Sequence, residues 1–309
     1  MILCCGEALI DMLPRKTEAG EAAFAPHSGG AVFNTAIALG RLGVPVSFFT
    51  GLSTDFFGEQ LKAELQASRV DLRHVRFSGR PTTLAFVRLT GGQASYAFYD
   101  ENSAGRMLIE ADLPAPDDKI RALHFSCISL IPEPCGSTYE TLMRREHRQR
   151  VTMLDPNLRP AFVEDREKHL QRMHRMIAMA DIVKLSDEDI AWFGEAGSHD
   201  EIAVRWLDMG PKLVVVTAGA RGATGYTKTA KVAVAACKAT VVDTVGAGDT
   251  FNAGILAALH DAGLLTKQAI AALSPDQVEA ALSLAAEAAA VAVSRAGANP
   301  PWRSELSPA

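Results

Sequence analysis

Short apolar runs and segments of helical periodicity alternate along most of the chain. Residues 2–5 form an apolar run that ends at Gly6, which is typical of a buried strand. Residues 28–42 begin with glycines and then place Val32 and Leu39 at helical spacing. The same pattern predicts further strands at 46–50, 122–126, 151–154, 182–184 and 212–217, and further helices at 58–68, 137–148, 164–179, 203–207, 250–261 and 275–295. Repeated strand–helix units predict an α/β fold with a mostly parallel central sheet and helices on both faces.

Residues 84–99 follow a different pattern, in which apolar and polar positions alternate. A Gly91-Gly92 pair between two such runs predicts a β-hairpin, and residues 12–26 are expected to add one or two strands beside it. We predict a small β-sheet that covers the ligand site as a lid. The alternative is a surface feature without a role at the site, or a flap that contacts a second copy of the chain. No internal repeat or proline-rich linker divides the sequence, so residues 1–309 are expected to form a single domain that carries this lid.

Composition and charge argue against several classes of protein. Of the 309 residues, 48% are hydrophobic and 22% are charged, which permits a large core and disfavours a disordered chain. Lys and Arg total 31 against 36 Asp and Glu, a formal net charge of −5, which argues against a nucleic-acid partner. The basic cluster at 144–150 is interpreted as a solvated helix end.

Cysteine usage and the apolar segments predict a cytoplasmic protein without a membrane span. The five cysteines include no CxxC pair, which favours buried free thiols in a reducing compartment over disulfides or a zinc site. The N-terminus shows no basic region or cleavage site of a signal peptide. Residues 278–296 are rich in alanine but contain Glu279, Glu287 and Arg295, so a packed helix is expected there.

The stretch 241–251 predicts an apolar strand, a glycine turn and a helix start in direct succession. Small residues at Gly246, Ala247 and Gly248 let backbone N–H groups approach an anion, and the helix N-terminus adds partial positive charge. Asp249 would repel a bound phosphate, but it suits a base that takes a proton from a hydroxyl attacking phosphorus. The helix N-terminus is expected to keep this carboxyl ionised. The alternative is an N-cap aspartate on an ordinary glycine turn.

A second glycine turn opens the helix predicted at 28–42. Gly29 and Gly30 precede Asn34, and Asp11 lies upstream at an expected strand end. Such Asp and Asn side chains can bind the hydroxyls of a polyol, and ligands of open α/β sheets lie at the carboxyl ends of strands. A core role for Asn34 and a capping role for Asp11 are the alternatives.

The two glycine clusters, in this order, resemble the paired signatures of the PfkB (ribokinase-like) carbohydrate kinases. The first runs from Gly29-Gly30 through Asn34 to residues 39–43, and the second covers residues 243–251. Three other stretches fit the same family. Residues 215–222 resemble its nucleotide-binding strand and loop, and residues 51–58 and 155–160 resemble its fructokinase branch. The resemblance extends from about Leu3 to Gly297. It implies a three-layer α/β/α ribokinase-like fold with a small β-sheet lid.

The resemblance also implies a role for each matching residue. Asp249 matches the catalytic base, and the backbone of Gly246, Ala247 and Gly248 matches the anion hole. Sugar contacts match Asp11, Gly29, Gly30 and Asn34, with Asn157 and Arg159 from the fructokinase-like string. Nucleotide contacts match Thr217, Gly219 and Gly222, with Lys184 and Ser186 on the preceding strand. Arg159 suits either a carboxylate sugar or the phosphates of ATP.

Two aspartates are candidates for metal ions. Residues 186–189 occupy the place of the family's Asn-x-x-Glu motif near magnesium and phosphate, with Ser186 for the Asn and Asp189 for the Glu. The shorter Asp189 carboxylate would act through water. Asp243 belongs to a loop that in the family can bind a monovalent cation such as K⁺; a capping role is the alternative. Mg²⁺ is expected to arrive with ATP and to have few direct protein ligands.

The resemblance and the two clusters together predict an ATP-dependent kinase that phosphorylates a primary hydroxyl of a monosaccharide. D-fructose is the favoured acceptor. Alternative acceptors are 2-keto-3-deoxygluconate, another keto sugar or a nucleoside, and the non-enzymatic alternative is a sugar sensor on an inactive kinase scaffold. Because Asp249 and its glycine turn are both present, the enzyme is favoured. The sequence lacks a GxGxxG after its first strand, a GxxxxGK[ST] and a GxSxG, which argues against a Rossmann dehydrogenase, a P-loop kinase and a serine hydrolase. An apolar lid face would favour a homodimer.

Overall fold

The computed structural model describes residues 1–90 and 93–307. Its strands are β1 (Ile2–Cys5), β2 (Leu9–Lys16), β3 (Ala22–Gly29), β4 (Val46–Phe49), β5 (Gly51–Ser53), β6 (Arg76–Ser78), β7 (Leu84–Thr90), β8 (Gln93–Tyr99), β9 (Ala122–Ser126), β10 (Val151–Asp155), β11 (Ile182–Ser186), β12 (Leu213–Thr217), β13 (Ala223–Tyr226) and β14 (Lys231–Val234). Its helices are α1 (Ala31–Arg41), α2 (Phe56–Ala67), α3 (Cys135–Glu146), α4 (Arg166–Met179), α5 (Asp187–Phe193), α6 (His199–Met209), α7 (Ala247–Asp261), α8 (Lys267–Ala271) and α9 (Pro275–Val293).

The central sheet has the strand order β14-β13-β12-β11-β10-β9-β1-β4. The pairs from β4 to β12 are parallel, and β13 and β14 extend the sheet antiparallel. Within β1, Ile2 and Cys4 pack on one side of the sheet, and Leu3 and Cys5 pack on the other. Because a parallel strand is buried on both faces, apolar residues are favoured at every position. The central strands are therefore continuous apolar runs in the sequence.

Helices cover both faces of this sheet. Helices α1, α7 and α9 contribute to the core on one face, and α3, α4 and α6 contribute to the core on the other. The predicted three-layer α/β/α arrangement with a mostly parallel sheet is therefore present. In a sheet of this kind the carboxyl ends of the parallel strands meet at one edge, where ligands bind. Among the described residues, no helix has the length and apolar character needed to cross a membrane.

A separate four-stranded sheet has the order β3-β2-β7-β8. Strands β7 and β8 pair antiparallel from Leu84↔Tyr99 to Thr90↔Gln93, so the predicted hairpin forms. The predicted Gly91-Gly92 turn lies outside the described residues. Strand β2 joins this hairpin to β3, because it pairs parallel with β7 and antiparallel with β3. The small β-sheet expected from 12–26 and 84–99 is therefore present, with its first pair extended to 9–16 and 22–29.

Two expectations about local structure are wrong. The apolar residues before the glycine turn form no strand: Val241 and Val242 are 64% and 60% exposed. The backbone N–H groups of Val242 and Asp243 instead donate to the carbonyl of Val293. This loop therefore lies against the end of α9, and no strand among the described residues pairs with it. Asp11 does not lie at the end of a central strand, because it is the third residue of β2 in the small sheet.

Candidate active site

Helix α7 begins at the glycine turn that the sequence singled out. Gly246 has a φ of 75°, a conformation that favours glycine, and a Cβ there would lie 2.8 Å from the Cβ of Ala298. Ala247, Gly248 and Asp249 are the first three residues of the helix. The backbone N–H groups of these three residues have no partner within the helix, and that of Ala247 donates to the carbonyl of Thr244 at 3.3 Å. A helix N-terminus of this kind can bind an anion.

The carboxylate of Asp249 is bound by the N-terminal turn of a second helix. Asn34 on α1 donates its side-chain amide to Oδ2 of Asp249 at 2.9 Å, and both side chains are buried. Thr35 donates its hydroxyl to the backbone carbonyl of Asp249 at 3.2 Å. The two helix N-termini that carry the predicted base and a predicted sugar contact therefore face each other.

Burial governs the protonation of Asp249. Removal from water raises the pKa of its carboxyl to about 7, and the charge of Asp155 adds to this effect. The Asn34 hydrogen bond and the charges of Lys184 and Arg159 act in the opposite direction. The carboxyl is therefore ionised only above about neutral pH, which corrects the expectation that the helix N-terminus keeps it ionised throughout. A general base works best with a pKa near the operating pH.

Glu7 fixes the start of α1, a role that the sequence did not suggest. Its Oε1 accepts the backbone N–H of Ala31 at 2.7 Å, and its Oε2 accepts the N–H of Ser129 at 3.3 Å. Gly30 has a φ of 108°, and a Cβ there would lie 2.9 Å from the Glu7 carbonyl oxygen. Glu7 lies 24 positions before Ala31 in the sequence, so no local pattern marked it as this cap.

Asp11 extends from the small sheet towards the same site, against Gly29. A Cβ on Gly29 would lie 2.3 Å from Oδ2 of Asp11, so only glycine allows this approach. Burial raises the pKa of the Asp11 carboxyl to about 6, and the charge of Arg159 opposes the shift. Asp11, Gly29, Gly30 and Asn34 are brought together by the β3–α1 junction and its neighbouring strand β2.

Asn157 and Arg159 lie in the loop after β10. Asn157 has a φ of 40°, and its Oδ1 accepts from Nη1 of Arg159 at 2.7 Å. Burial lowers the pKa of the Arg159 guanidinium, but the nearby acidic groups, Asp249 and Asp155 among them, outweigh it and raise that pKa. The guanidinium therefore belongs to the electrostatic surroundings of the predicted base.

A buried ion pair lies below the glycine turn of α7. Lys184, on β11, donates Nζ to Oδ2 of Asp155 at 3.0 Å. The same oxygen accepts the side-chain amide of Asn252 at 2.7 Å. A Cβ on Gly248 would lie 3.3 Å from Nζ of Lys184, which puts the ammonium next to the turn that begins α7. Asp155 and Asn252 were missed as site residues, although Asp155 ends a central strand and Asn252 lies almost one helical turn after Asp249.

The two metal candidates are engaged with the protein. Asp189 accepts the backbone N–H of Leu158 on Oδ1 at 2.7 Å, and the N–H and hydroxyl of Ser186 on Oδ2 at 2.9 and 2.6 Å. Asp243 accepts the N–H groups of Val245 and Gly297 at 3.0 and 2.9 Å. In the part of the chain that the structure describes, no three His, Cys, Asp or Glu residues form a metal cluster. Both oxygens of each carboxylate already accept a protein hydrogen bond, so an ion bound directly to either carboxylate would have to compete with these bonds.

The predicted nucleotide contacts follow β12. Thr217 ends this strand, and its hydroxyl donates to the carbonyl of Leu185 at 3.1 Å. Gly219 and Gly222 both have positive φ, of 53° and 94°, and a Cβ on Gly222 would lie 2.1 Å from the Val234 carbonyl oxygen. Glycine at 222 therefore lets the loop pass close to β14. Thr217 pairs with Ser186, and these two residues end the neighbouring strands β12 and β11. The predicted nucleotide contacts therefore begin at the carboxyl ends of these strands, two residues beyond Lys184.

A cavity of about 980 Å³ opens between the small sheet and the body of the molecule. Ala8, Leu84, Phe98, Ile128 and Phe162 are among its lining residues. The rings of Phe98 on β8 and Phe162 in the loop after Arg159 meet edge to face, with centroids 4.2 Å apart. The small sheet therefore touches the loop that carries Asn157 and Arg159.

The family model for pfkB carbohydrate kinases matches residues 1–305. The chain belongs to this family. It is 60% identical over 273 residues to a protein named fructokinase from Rhizobium leguminosarum bv. trifolii, and the match covers 88% of this chain and 84% of that one. The resemblance found in the sequence is thus confirmed, including its fructokinase branch.

Solved structures of pfkB kinases share the fold. A fructokinase from Xylella fastidiosa with bound ATP has a TM-score of 0.87 and 30% identity, with 96% of this chain and 93% of that chain covered. A fructokinase from Vibrio cholerae O395, bound to fructose, ADP and calcium, has a TM-score of 0.82 and 26% identity, with 96% and 94% covered.

Proposed function

We propose that this pfkB-family chain is an ATP-dependent fructokinase, acting on a primary hydroxyl of D-fructose with Asp249 as general base. The observation that carries the proposal is the buried Asp249 carboxylate at the anion-binding turn of α7, hydrogen-bonded to Asn34 of the glycine turn on α1. The 60% identity to a fructokinase supports fructose as the acceptor. Asp11, Gly29, Gly30, Asn34, Asn157 and Arg159 are proposed as the sugar contacts.

The geometry suggests how the transfer proceeds. The acceptor hydroxyl lies between Asp249 and the γ-phosphorus, its oxygen attacks phosphorus, and its proton passes to the Asp249 carboxylate. The bond between phosphorus and the bridging oxygen breaks, and ADP leaves with the electron pair. Backbone N–H groups of Gly246, Ala247 and Gly248 stabilise the negative charge on the phosphoryl oxygens. A base with a pKa of about 7 can accept this proton at neutral pH.

The phosphoryl donor is proposed to be ATP as its magnesium complex. Thr217, Gly219 and Gly222 are proposed to contact the nucleotide, and Lys184 and Ser186 to lie towards its phosphates. Mg²⁺ bound with the nucleotide would neutralise phosphate charge. Asp189, whose two oxygens already accept protein hydrogen bonds, would meet this ion through water.

K⁺ is proposed to bind at the loop of Asp243. The Asp243 carboxylate joins this loop to Gly297, so an ion there would act on the turn that begins α7. Activity assayed in K⁺ should exceed activity in the larger tetramethylammonium ion at equal ionic strength. Equal activity in the two salts would contradict this proposal.

The whole chain is proposed to act as a single catalytic domain, with the small sheet as its lid. Asp11 extends from that sheet into the site, and Phe98 contacts the loop that follows Arg159. Closing such a sheet over the sugar would exclude water from the transfer.

The lid is also proposed to join two copies of the chain. Phe24, Phe86 and Tyr99 form a row of edge-to-face rings, and Phe24 and Tyr99 are 48% and 63% exposed. Phe86 pairs with Met12 and so lies on the sheet face opposite to Asp11. Light scattering should show a dimer that Phe24→Ser and Tyr99→Ser together convert to a monomer. A wild-type monomer at micromolar concentration would contradict the proposal.

A cytoplasmic location is proposed because the cysteines are free thiols. Cys4, Cys5, Cys127 and Cys135 are buried free thiols, and Cys237 is an exposed one. Free thiols persist in a reducing compartment. Fractionation of the producing cells should recover the protein with cytoplasmic markers.

A coupled assay of ADP release over a dozen sugars and nucleosides tests the substrate. D-fructose is expected to give the highest kcat/KM. A tenfold preference for 2-keto-3-deoxygluconate or a nucleoside corresponds to about 1.4 kcal/mol of transition-state stabilisation. That result would contradict fructose as the substrate but not the assignment of the chain to the pfkB family. Sugar binding without turnover of any acceptor would favour a sugar sensor.

A further inference from the structure

The buried pair of Asp155 and Lys184 has a definite place beneath the phosphate-binding turn. Asp155 ends β10 and is fully buried, and Lys184 lies on the neighbouring strand β11. Burying two charges costs several kcal/mol per ion, and replacing such a pair by apolar residues is often neutral or stabilising. A pair kept at this position therefore calls for a reason other than stability.

The ammonium of Lys184 can reach an anion at the turn. Its Nζ lies 3.3 Å from the position that a Cβ on Gly248 would occupy. An ammonium has three donors, and Asp155 is the acceptor that the described residues provide for it. The donors that remain are next to the N–H groups that begin α7. Burial lowers the pKa of this ammonium, but the charges of Asp155 and Asp189 outweigh burial and raise it, so Lys184 stays protonated.

Asp155 links this ammonium to helix α7. Its Oδ2 accepts both Lys184 and Asn252, at 3.0 and 2.7 Å, and Asn252 follows the predicted base Asp249 on the same helix by three residues. One carboxylate oxygen therefore fixes the position of the β11 lysine relative to the second turn of α7, which follows Asp249. Oδ1 of Asp155 and Oδ1 of Asn252 have no partner among the described residues, so the shared oxygen is the contact that positions both.

We propose that Asp155 is a positioning residue for phosphoryl transfer: it holds the Lys184 ammonium against the Gly246–Gly248 turn, where the ammonium stabilises the transferring phosphoryl group. The inference rests on the proposed kinase function. A cation held in place before the reaction stabilises developing negative charge without reorganisation, and this effect acts on kcat. A purely structural pair would act on folding and leave turnover in the folded enzyme unchanged.

A double-mutant cycle tests the inference. Asp155→Asn and Lys184→Met are each expected to lower kcat by about 100-fold, with the fructose KM and the Kd for ADP changed less than about threefold. Because Asp155 acts through Lys184, the double variant should be no more than about threefold slower than the slower single variant. Losses that multiply in the double variant would contradict the inference, as would a loss confined to the fructose KM.

An ion pair at the opposite end of β11, with a buried aspartate and a lysine side chain that is 36% exposed, supplies the control. Lys267 donates to Asp181 at 2.7 Å, and Asp181 is buried and precedes the first residue of β11. Asp181→Asn and Lys267→Met should lower the melting temperature and leave kcat within about twofold of wild type. If they slow turnover as much as Asp155→Asn does, the effect belongs to buried ion pairs in general and the inference is wrong.

A milder variant covers the case in which Asp155→Asn fails to fold. Asn252→Leu leaves the ion pair and removes only its link to α7, so kcat should fall by about three- to tenfold at an unchanged fructose KM. Wild-type kcat in both Asn252→Leu and Lys184→Met would contradict the inference. A wild-type chain that phosphorylates no acceptor would instead contradict the proposed function, so the two failures are distinguishable.

Discussion

The side chains of Asn34 and Asp249 meet at 2.9 Å, although 215 positions of sequence separate them. Each belongs to the first turn of a helix that follows a glycine turn. Because both helix N-termini face the same point, an anion and a polyol can be bound side by side there. The hydrogen bond also orients the carboxylate that is proposed to accept the proton.

Replacing Asp249 by Asn should remove the base and keep the fold. Asn is close in size and can still accept the Asn34 amide, so the melting temperature should stay near that of wild type. We expect kcat to fall by roughly 10²- to 10⁴-fold, with the fructose KM changed far less. Steady-state kinetics and a melting curve on the purified variant check both.

Glu201 offers a matched control for this substitution. It is the third residue of α6, as Asp249 is of α7, and it accepts from Ser198 away from the site. Glu201→Gln should leave kcat unchanged. Near-normal turnover of Asp249→Asn would show that Asp249 only caps its helix.

The acid limb of the pH profile should report Asp249. Its pKa is raised to about 7, and only the ionised form accepts a proton, so kcat/KM should fall as the pH drops through 7. Below about 6, protonation of Asp11 should steepen the fall. Asp11→Asn should remove the steeper part and keep the limb near 7. A flat profile between pH 5 and 8 would contradict the role of Asp249.

Asn34 should affect the pH at which activity falls on the acid side of the profile. Its amide donates to the Asp249 carboxylate and lowers the pKa of that group. Asn34→Leu should therefore move the acid limb to higher pH and raise the fructose KM, since Asn34 is also a proposed sugar contact. The pH dependence of kcat at saturating fructose separates the two effects. A limb that stays in place would mean that Asn34 does not act on the base.

A methyl group on Gly29 should weaken sugar binding specifically. Its Cβ would lie 2.3 Å from Oδ2 of Asp11, so the carboxylate must move. We expect Gly29→Ala to raise the fructose KM by about tenfold or more, roughly the 1.4 kcal/mol of one displaced contact, with a smaller effect on kcat. Gly79→Ala is the control, since within the described ranges no heavy atom other than those of its chain neighbours lies within 4 Å of a Cβ there. Equal KM values for the two variants would contradict the placement of Asp11.

The contact between Phe98 and Phe162 should help the lid to close. Phe162→Ala removes a ring whose centroid lies 4.2 Å from that of Phe98. The variant should show a fructose KM raised by about three- to tenfold and more ATP hydrolysis per sugar phosphorylated, because water enters a looser site. Parallel assays of ADP and sugar phosphate measure this ratio. An unchanged ratio and KM would mean that the contact does not assist closure.

The sequence alone determined the layers of the fold and the places of its two glycine turns. Apolar runs and helical spacings are local patterns, and the continuous burial of β1, β9 and β10 on both faces makes such runs unavoidable in a parallel sheet. Gly30 and Gly246 were recognisable because their positive φ restricts the choice of residue. The exposed Val241-Val242 run predicts a strand wrongly, because nothing in its sequence shows that no strand lies beside it.

Only the tertiary structure decided which polar groups share an environment. Glu7 caps α1 from 24 positions away, and Asp155 meets Asn252 across 97 positions, so no local spacing reveals either contact. The pKa of Asp249 was likewise not readable from its helix position, because burial outweighs the Asn34 hydrogen bond and the nearby cations. Long-range packing sets the loss of water around a carboxylate, and that loss controls its protonation.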